Sequence, residues 1–287
     1  MNALTAISRT AHAKINLCLH VTGQRDDGYH LLDTIVTFAE IGDQLTFENG
    51  DGVSLEISGP EAEGLVANGS NLVIKAADAL ANVANEHRGA KIELCKNLPV
   101  SSGIGGGSAD AAATLVGLND LWTKEYDSDA LSKIGLSLGA DVPMCLHGKP
   151  LRASGIGEQL EPVSMPAFSM VLVNPRVGVS TPEIFKALVK RDNPPAPRCP
   201  DSDDLSEWVS WLSRQRNDLQ SSAIALHPSI QTALDSLETC ASLLARMSGS
   251  GATCFGLFEN DAQAAATAET IADQHPDWWV VATRSIV

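Results

Sequence analysis

"NLPVSSGIGGGSADAAATLVGLN", residues 97–119, sets Gly103, Gly105, Gly106 and Gly107 within five positions and then turns to an alanine-rich run. In and beyond that run Ala111, Leu115, Leu118 and Trp122 recur at helical spacing, so the stretch reads as a bare loop feeding a helix from Ser108. Glycine reaches positive φ at little cost and removes the side chains that would keep an anion from main-chain N–H groups. The first turn of a helix adds unsatisfied N–H donors and the positive end of its dipole. Together these make a phosphate cradle; for a glycine run taken alone, a flexible turn capping the helix is the alternative. Spacing removes two better-known loops. The third glycine of Gly-x-Gly-x-x-Gly would fall at Ser108 or Asp110, and no Gly-Lys-Ser/Thr closes the run.

The rest of the chain narrows the ligand class. Its 287 residues carry 20 Lys and Arg against 35 Asp and Glu, a net charge of −15. That balance argues against a general nucleic-acid or anionic-membrane surface. A phosphate must then be held locally, against the overall field. Six cysteines without any Cys-x-x-Cys pair suggest reduced thiols. Residues 1–12 lack the apolar core of a signal peptide, and the apolar stretch 162–175 is short and broken by Pro166. A cytoplasmic protein, monomer or homodimer, is expected. The seven histidines show no ligand spacing, and no metal ligand is assigned.

Working outward, Ile15, Leu17, Leu19 and Val21 alternate with Lys14, Asn16, Cys18 and His20. Period two predicts a strand over residues 14–21 with Lys14 and Asn16 side by side on its polar face. Asp27-Gly28 signals a hairpin turn, and strand-like runs follow at 31–38, 44–48, 53–57 and 91–95. Residues 71–84 read as a helix, and 130–138 as another, closed by Gly139. In the second half, 170–173, 254–258 and 278–282 read as strands, and 205–212, 224–237 and 262–271 as helical. Thr181-Pro182 looks like the cap and first position of a helix carrying Ile184, Phe185 and Leu188. Four prolines make residues 191–204 a loop. A boundary near Arg152 divides the chain into domains 1–152 and 153–287, α+β in both halves.

Four blocks occur in order: "AKINLCLHVTGQRDDGYH" (13–30), "LPVSSGIGGGSADAAATL" (98–115), "LGADVPMCL" (138–146) and "RMSGSGATCFGLF" (246–258). The set resembles the superfamily of galactokinase, homoserine kinase, mevalonate kinase and phosphomevalonate kinase. "TGQRDDGYH" and "GADVP" resemble, within it, the branch that phosphorylates a cytidine diphosphate-linked polyol on the non-mevalonate route to isoprenoids. A homoserine- or mevalonate-type kinase is the rival reading. The resemblance implies an N-terminal domain like domain 2 of ribosomal protein S5 and a ferredoxin-like C-terminal domain, with the active site in the cleft between them. It implies ATP as phosphoryl donor and Mg²⁺ as its counter-ion. Ser101 and Ser102 depart mildly from it, standing where the pattern has smaller residues.

By the same resemblance Asp141 accepts the proton of the acceptor hydroxyl, and Lys14 offsets the developing charge. Taken alone they read as a turn-forming acid and a solvated strand lysine. Pro99, Val100, Ser101, Ser102, Gly103, Ile104, Gly105, Gly106, Gly107, Ser108 and Ala109 form the ATP loop and helix entry. Asn71 and Lys96 resemble residues near adenine and phosphates; a helix cap and a strand-end lysine are their plainer readings. Tyr29 and Phe185 are implied to sandwich the cytosine, with His30 at its edge, although Phe185 also fits a core face. Asn16 and Thr181 are implied for the polyol hydroxyls, Thr181 reading equally as a cap. Gly249 and Gly251 let the backbone approach substrate phosphates or the first glycine loop, or simply make a tight turn. Ser108 and Asp110 lie where magnesium is expected, Asp110 also suiting the helix dipole.

Overall fold

The structure, a computed structural model, describes residues 6–86 and 88–287. In chain order the first elements are β1 (Ile7–Gln24), β2 (His30–Gly50), β3 (Val53–Ser58), α1 (Leu72–Ala84) and β4 (Gly89–Cys95). There follow α2 (Gly106–Leu121), α3 (Ser128–Leu138), α4 (Val142–His147), β5 (Leu151–Gly155), β6 (Gln159–Pro162), β7 (Ser169–Asn174) and α5 (Thr181–Lys186). Last come α6 (Leu205–Ser213), α7 (Gln220–Leu226), α8 (Ser229–Thr239), β8 (Leu244–Met247), β9 (Cys254–Phe258), α9 (Asp261–Gln274) and β10 (Trp279–Arg284).

These elements condense into two compact units that interleave along the chain. One comprises residues 1–13, 42–100 and 105–148; the other 14–41, 101–104 and 149–287. Two of the crossings, at 13/14 and 41/42, fall inside the long strands β1 and β2, whereas the sequence reading places a single boundary near Arg152. The hairpin between them turns at Gly28 with φ 91°, as Asp27-Gly28 predicts. The two runs expected at 31–38 and 44–48 are one strand. Gly42, between them, marks a close approach rather than a turn, because a Cβ there would collide with the Ala11 carbonyl.

In the first unit β4 pairs antiparallel with β2 over Gln44–Gly50 and parallel with β3, across the α1 connection. The core gathers Leu45, Phe47, Leu80, Ile92, Leu94, Leu115, Leu118 and Trp122. Burying a side chain of this size fully contributes about 1.5–3 kcal/mol. Helix α2 is buried around most of its circumference. Its alanines let α1 and α4 pack close, which is why a one-sided stripe underdescribes it.

In the second unit β2 pairs with β5 over Leu32–Val36, and β5 with β6. A further sheet has the order β10-β7-β9-β8, all antiparallel, with α8 and α9 packed on it. Renumbered within the unit, that order is 4-1-3-2 in a β-α-β-β-α-β chain, the ferredoxin-like arrangement. The proline-rich stretch is a loop and is tied down. Arg152 grips Asp33 with two hydrogen bonds of 2.7 and 2.6 Å, and Ala196 bonds to both side chains.

Gly117 on α2 decides a packing sign. In an open helix Gly→Ala stabilises by about 1 kcal/mol. Here an added Cβ runs into the Phe47 ring, and overpacking costs about 1–3 kcal/mol. Gly117→Ala should therefore lower the thermal midpoint; an unchanged or raised midpoint would refute this packing.

Candidate active site

The second unit gathers most of the polar residues singled out in the sequence. Both faces of β1 are buried over residues 13–21, so Lys14 is a buried lysine rather than a solvated one. Its Nζ donates to Asn16 Oδ1 at 3.1 Å, joining two residues that period two places side by side. Asn16 is fixed by two further contacts: its N–H donates to Ser248 Oγ at 3.0 Å and its Nδ2 to Thr34 Oγ1 at 2.8 Å, while Thr34 in turn donates to the Cys18 carbonyl.

The glycine loop meets this cluster through backbone. Lys14 N–H donates to the Ile104 carbonyl at 2.9 Å, and Thr253 N–H to the Ser102 carbonyl at 3.0 Å. Ser248 Oγ donates to the Gly103 carbonyl at 3.1 Å. A Cβ on Gly103, whose φ is +75°, would stand 2.5 Å from the Ser248 carbonyl oxygen; one on Gly249 would stand 2.7 Å from the Gly103 oxygen. Of the readings for Gly249 and Gly251, both the approach to the first glycine loop and the tight turn are present, the turn closed by Gly251 N–H on the Ser248 carbonyl at 3.0 Å. Ser248 and Thr34 were not foreseen. Ser248 lies inside the quoted "RMSGSGATCFGLF" block, but nothing local distinguishes it from its neighbour Ser250.

Thr181 is the first residue of α5 rather than its cap, a place taken by Ser180, whose side chain makes no capping bond. The Thr181 hydroxyl instead bonds Ser250 Oγ at 2.7 Å, a long-range partner that no local pattern encodes. Phe185 is only partly buried, and the ring stacked on it is the His30 imidazole, with centroids 4.6 Å apart and planes 24° apart. Tyr29, expected opposite Phe185, is exposed. Among the described residues His30 Nε2 is buried without a hydrogen-bond partner. Burial, and secondarily the Arg191 charge, lower the His30 pKa, which favours neutral imidazole.

In the first unit the helix starts two residues earlier than expected. Gly105, with φ 68°, stands at the N-cap and Gly106 and Gly107 are already helical. Nothing local marks this, because glycine disfavours a helix interior; packing decides it. A Cβ on Gly106 would stand 3.2 Å from Lys96 Nζ, and one on Gly107 3.3 Å from Leu72 Cδ1. Asn71 is the N-cap of α1, accepting from Val73 N–H at 2.9 Å. Asp141 precedes α4, a helix too short for periodicity to reveal, and its carboxylate does not cap that helix.

Lys96 is buried and bound to two carboxylates, Asp43 Oδ2 and, at 2.7 Å, Asp110 Oδ2. Asp43, which the sequence reading missed, also accepts from Asn97 and Leu98 N–H at 2.6 and 2.8 Å. Among the described residues no three His, Cys, Asp or Glu side chains group as metal ligands, and Asp110 is engaged by Lys96. Among the described residues no helix is long and apolar enough to cross a membrane.

Burial pushes the Asp110 carboxyl up to about 7, against the pull of Lys96. For Lys96 burial lowers the pKa, and Asp110 and Asp43 outweigh it to raise it. Between the ordinary carboxyl value of 3.8 and about 7 the folded chain therefore holds more protons at Asp110 than the unfolded chain. Stability falls as pH rises through that window. Thermal midpoints of wild type should decline relative to Asp110→Asn over roughly pH 4 to 7; parallel curves would refute the shift.

Known proteins share this arrangement over nearly the whole chain. The family described as GHMP kinases N terminal domain matches residues 71–149, and GHMP kinases C terminal matches 184–277. A 4-diphosphocytidyl-2-C-methyl-D-erythritol kinase of Ruegeria pomeroyi is 53% identical over 96% of this chain and 97% of its own. One from Mesorhizobium japonicum is 50% identical over 97% and 96%. A crystal structure of 4-(cytidine 5'-diphospho)-2C-methyl-D-erythritol kinase, 32% identical, superposes with a TM-score of 0.80 over 97% of this chain and 99% of that one. With identity near half along its full length, the chain belongs to the GHMP kinases and, within them, to the 4-diphosphocytidyl-2-C-methyl-D-erythritol kinase family.

Proposed function

We propose that this chain transfers the γ-phosphoryl group of ATP to the 2-hydroxyl of 4-diphosphocytidyl-2-C-methyl-D-erythritol, on the non-mevalonate route to isoprenoids. It works in the cytoplasm, as a monomer or homodimer. The observation that supports this reading most is the pair of positive-φ glycines, Gly103 and Gly105, leading into the 16-residue helix α2. They turn a side-chain-free backbone toward an anion at the end of a long helix dipole.

Phosphoryl transfer passes through a loose transition state, so positioning and charge stabilisation carry the catalysis. Residues 103–108 hold the triphosphate through N–H groups, with Pro99, Val100, Ser101 and Ser102 forming the approach and Ala109 the helix entry. Asn71, capping α1, frames the adenine side. Asp141 accepts the hydroxyl proton, and because that proton leaves late a weak base suffices. Lys14, oriented by Asn16, offsets charge on the reacting oxygens. Thr181 and Asn16 meet the polyol hydroxyls.

The cytosine lies between Tyr29 and Phe185. It displaces the His30 ring from the Phe185 face to the base edge, where the unpartnered Nε2 finds its hydrogen bond. Gly249 and Gly251 keep the neighbouring backbone close to Gly103. Magnesium, when bound, neutralises phosphate charge. Of the residues here the Ser108 hydroxyl would be offered to it; among the described residues no three His, Cys, Asp or Glu side chains group as its ligands.

Asp141→Asn and Lys14→Ala should each lower kcat by about 10²–10⁴ in folded protein. Near-native turnover in both would end the assignment. Tyr29→Ala should raise KM for the cytidylyl acceptor about tenfold while leaving KM for ATP unchanged. An unchanged acceptor KM would remove the sandwich. A panel of acceptor alcohols, homoserine and mevalonate included, tests the substrate, and turnover without the cytidine moiety would favour the rival kinases.

A further inference from the structure

The Asp43–Lys96–Asp110 cluster lies directly behind the start of α2, and its members join three chain segments. Asp43 belongs to β2, Lys96 follows β4, and Asp110 sits in the first turns of α2. Asp43 fastens the chain leaving β4 by accepting from Asn97 and Leu98 N–H. Its other oxygen takes the Lys96 ammonium, which reaches on to Asp110. All three side chains are buried.

The ammonium passes close behind α2 at position 106, where a Cβ would stand a tight 3.2 Å from Nζ and 3.9 Å from Asp43 Oδ2. A glycine there accommodates what packs behind the loop. We propose that Lys96 is a positioning residue, a strut that fixes the first turn of α2 to the end of β4 and so aims the helix N–H groups at the triphosphate. This rests on the reading of residues 103–108 as the phosphate grip.

A strut and a direct phosphate ligand predict opposite signs for changes at Asp110. Were Lys96 a ligand for phosphate, removing Asp110 would free its ammonium and delete a negative charge, and ATP would bind more tightly. For a strut the same change loosens the helix start, and ATP binds more weakly, because a misplacement on the order of 1 Å is enough to lose most of an oriented contact.

Asp110→Ala should raise KM for ATP about tenfold, and Asp110→Asn, which keeps a hydrogen-bond acceptor for Nζ, should fall between it and wild type. KM for the cytidylyl acceptor should stay at the wild-type value in both. Where Asp110→Ala does not fold, Asp110→Asn alone carries the sign. A KM for ATP that is unchanged or lowered in a folded Asp110 variant overturns the strut, as does an equal rise in both KM values. Calorimetric titration of wild type with a non-hydrolysable ATP analogue separates the two layers. Failure of wild type to bind the analogue overturns the phosphate reading and the strut with it, whereas a normal wild-type titration beside unaltered variants overturns the strut alone.

Discussion

Residues 102–104 are held through their own carbonyl groups. Ser102, Gly103 and Ile104 each give up a carbonyl oxygen, to Thr253 N–H, Ser248 Oγ and Lys14 N–H respectively. A strand carrying Lys14 and a turn carrying Ser248 thereby grip one short segment from different directions. That grip needs a residue without Cβ at 103, because the Ser248 and Gly251 backbone occupies the space. Backbone hydrogen bonds of this kind are individually modest, yet leaving a buried carbonyl unpaired costs about 1–3 kcal/mol. The segment is therefore fixed as a set within its unit.

The buried polar side chains follow from the same arrangement. Because both faces of β1 are covered, Lys14, Asn16 and His20 cannot rely on water and must find protein partners. Asn16 spends both ends of its amide and its N–H on Lys14, Thr34 and Ser248. Such a network orients the Lys14 ammonium. Lys96 is a second buried lysine. Two carboxylates bind it, so its charge is compensated internally and its value is geometric.

A chain with a net charge of −15 must nevertheless hold a highly charged donor. Helix ends and turned N–H groups meet that requirement with partial charges that need no counter-ion when the ligand is absent. The glycine loop is the part proposed for that task, and packing is one cause of the crowding of glycine there. A Cβ on Gly103, Gly106 or Gly107 would stand 2.5, 3.2 or 3.3 Å from a neighbouring atom.

Local chemistry was enough for much of this. Alternation in residues 14–21, the Asp27-Gly28 turn, the Asn71 cap, the Gly139 stop and the strand at 254–258 all depend on interactions within a few residues, so they could be read directly. The four ordered blocks carried the family and its chemistry. Tertiary structure decided what depends on distant neighbours. It merged two strand runs into β2 through the close approach at Gly42, started α2 at Gly106 over a buried ammonium, and moved Thr181 from cap to Ser250 partner. It also set His30 on Phe185 and recruited Asp43, Thr34 and Ser248. Those partners are tens to hundreds of positions apart in sequence. No periodicity encodes such pairings; burial, which makes an unmatched polar group costly, selects them.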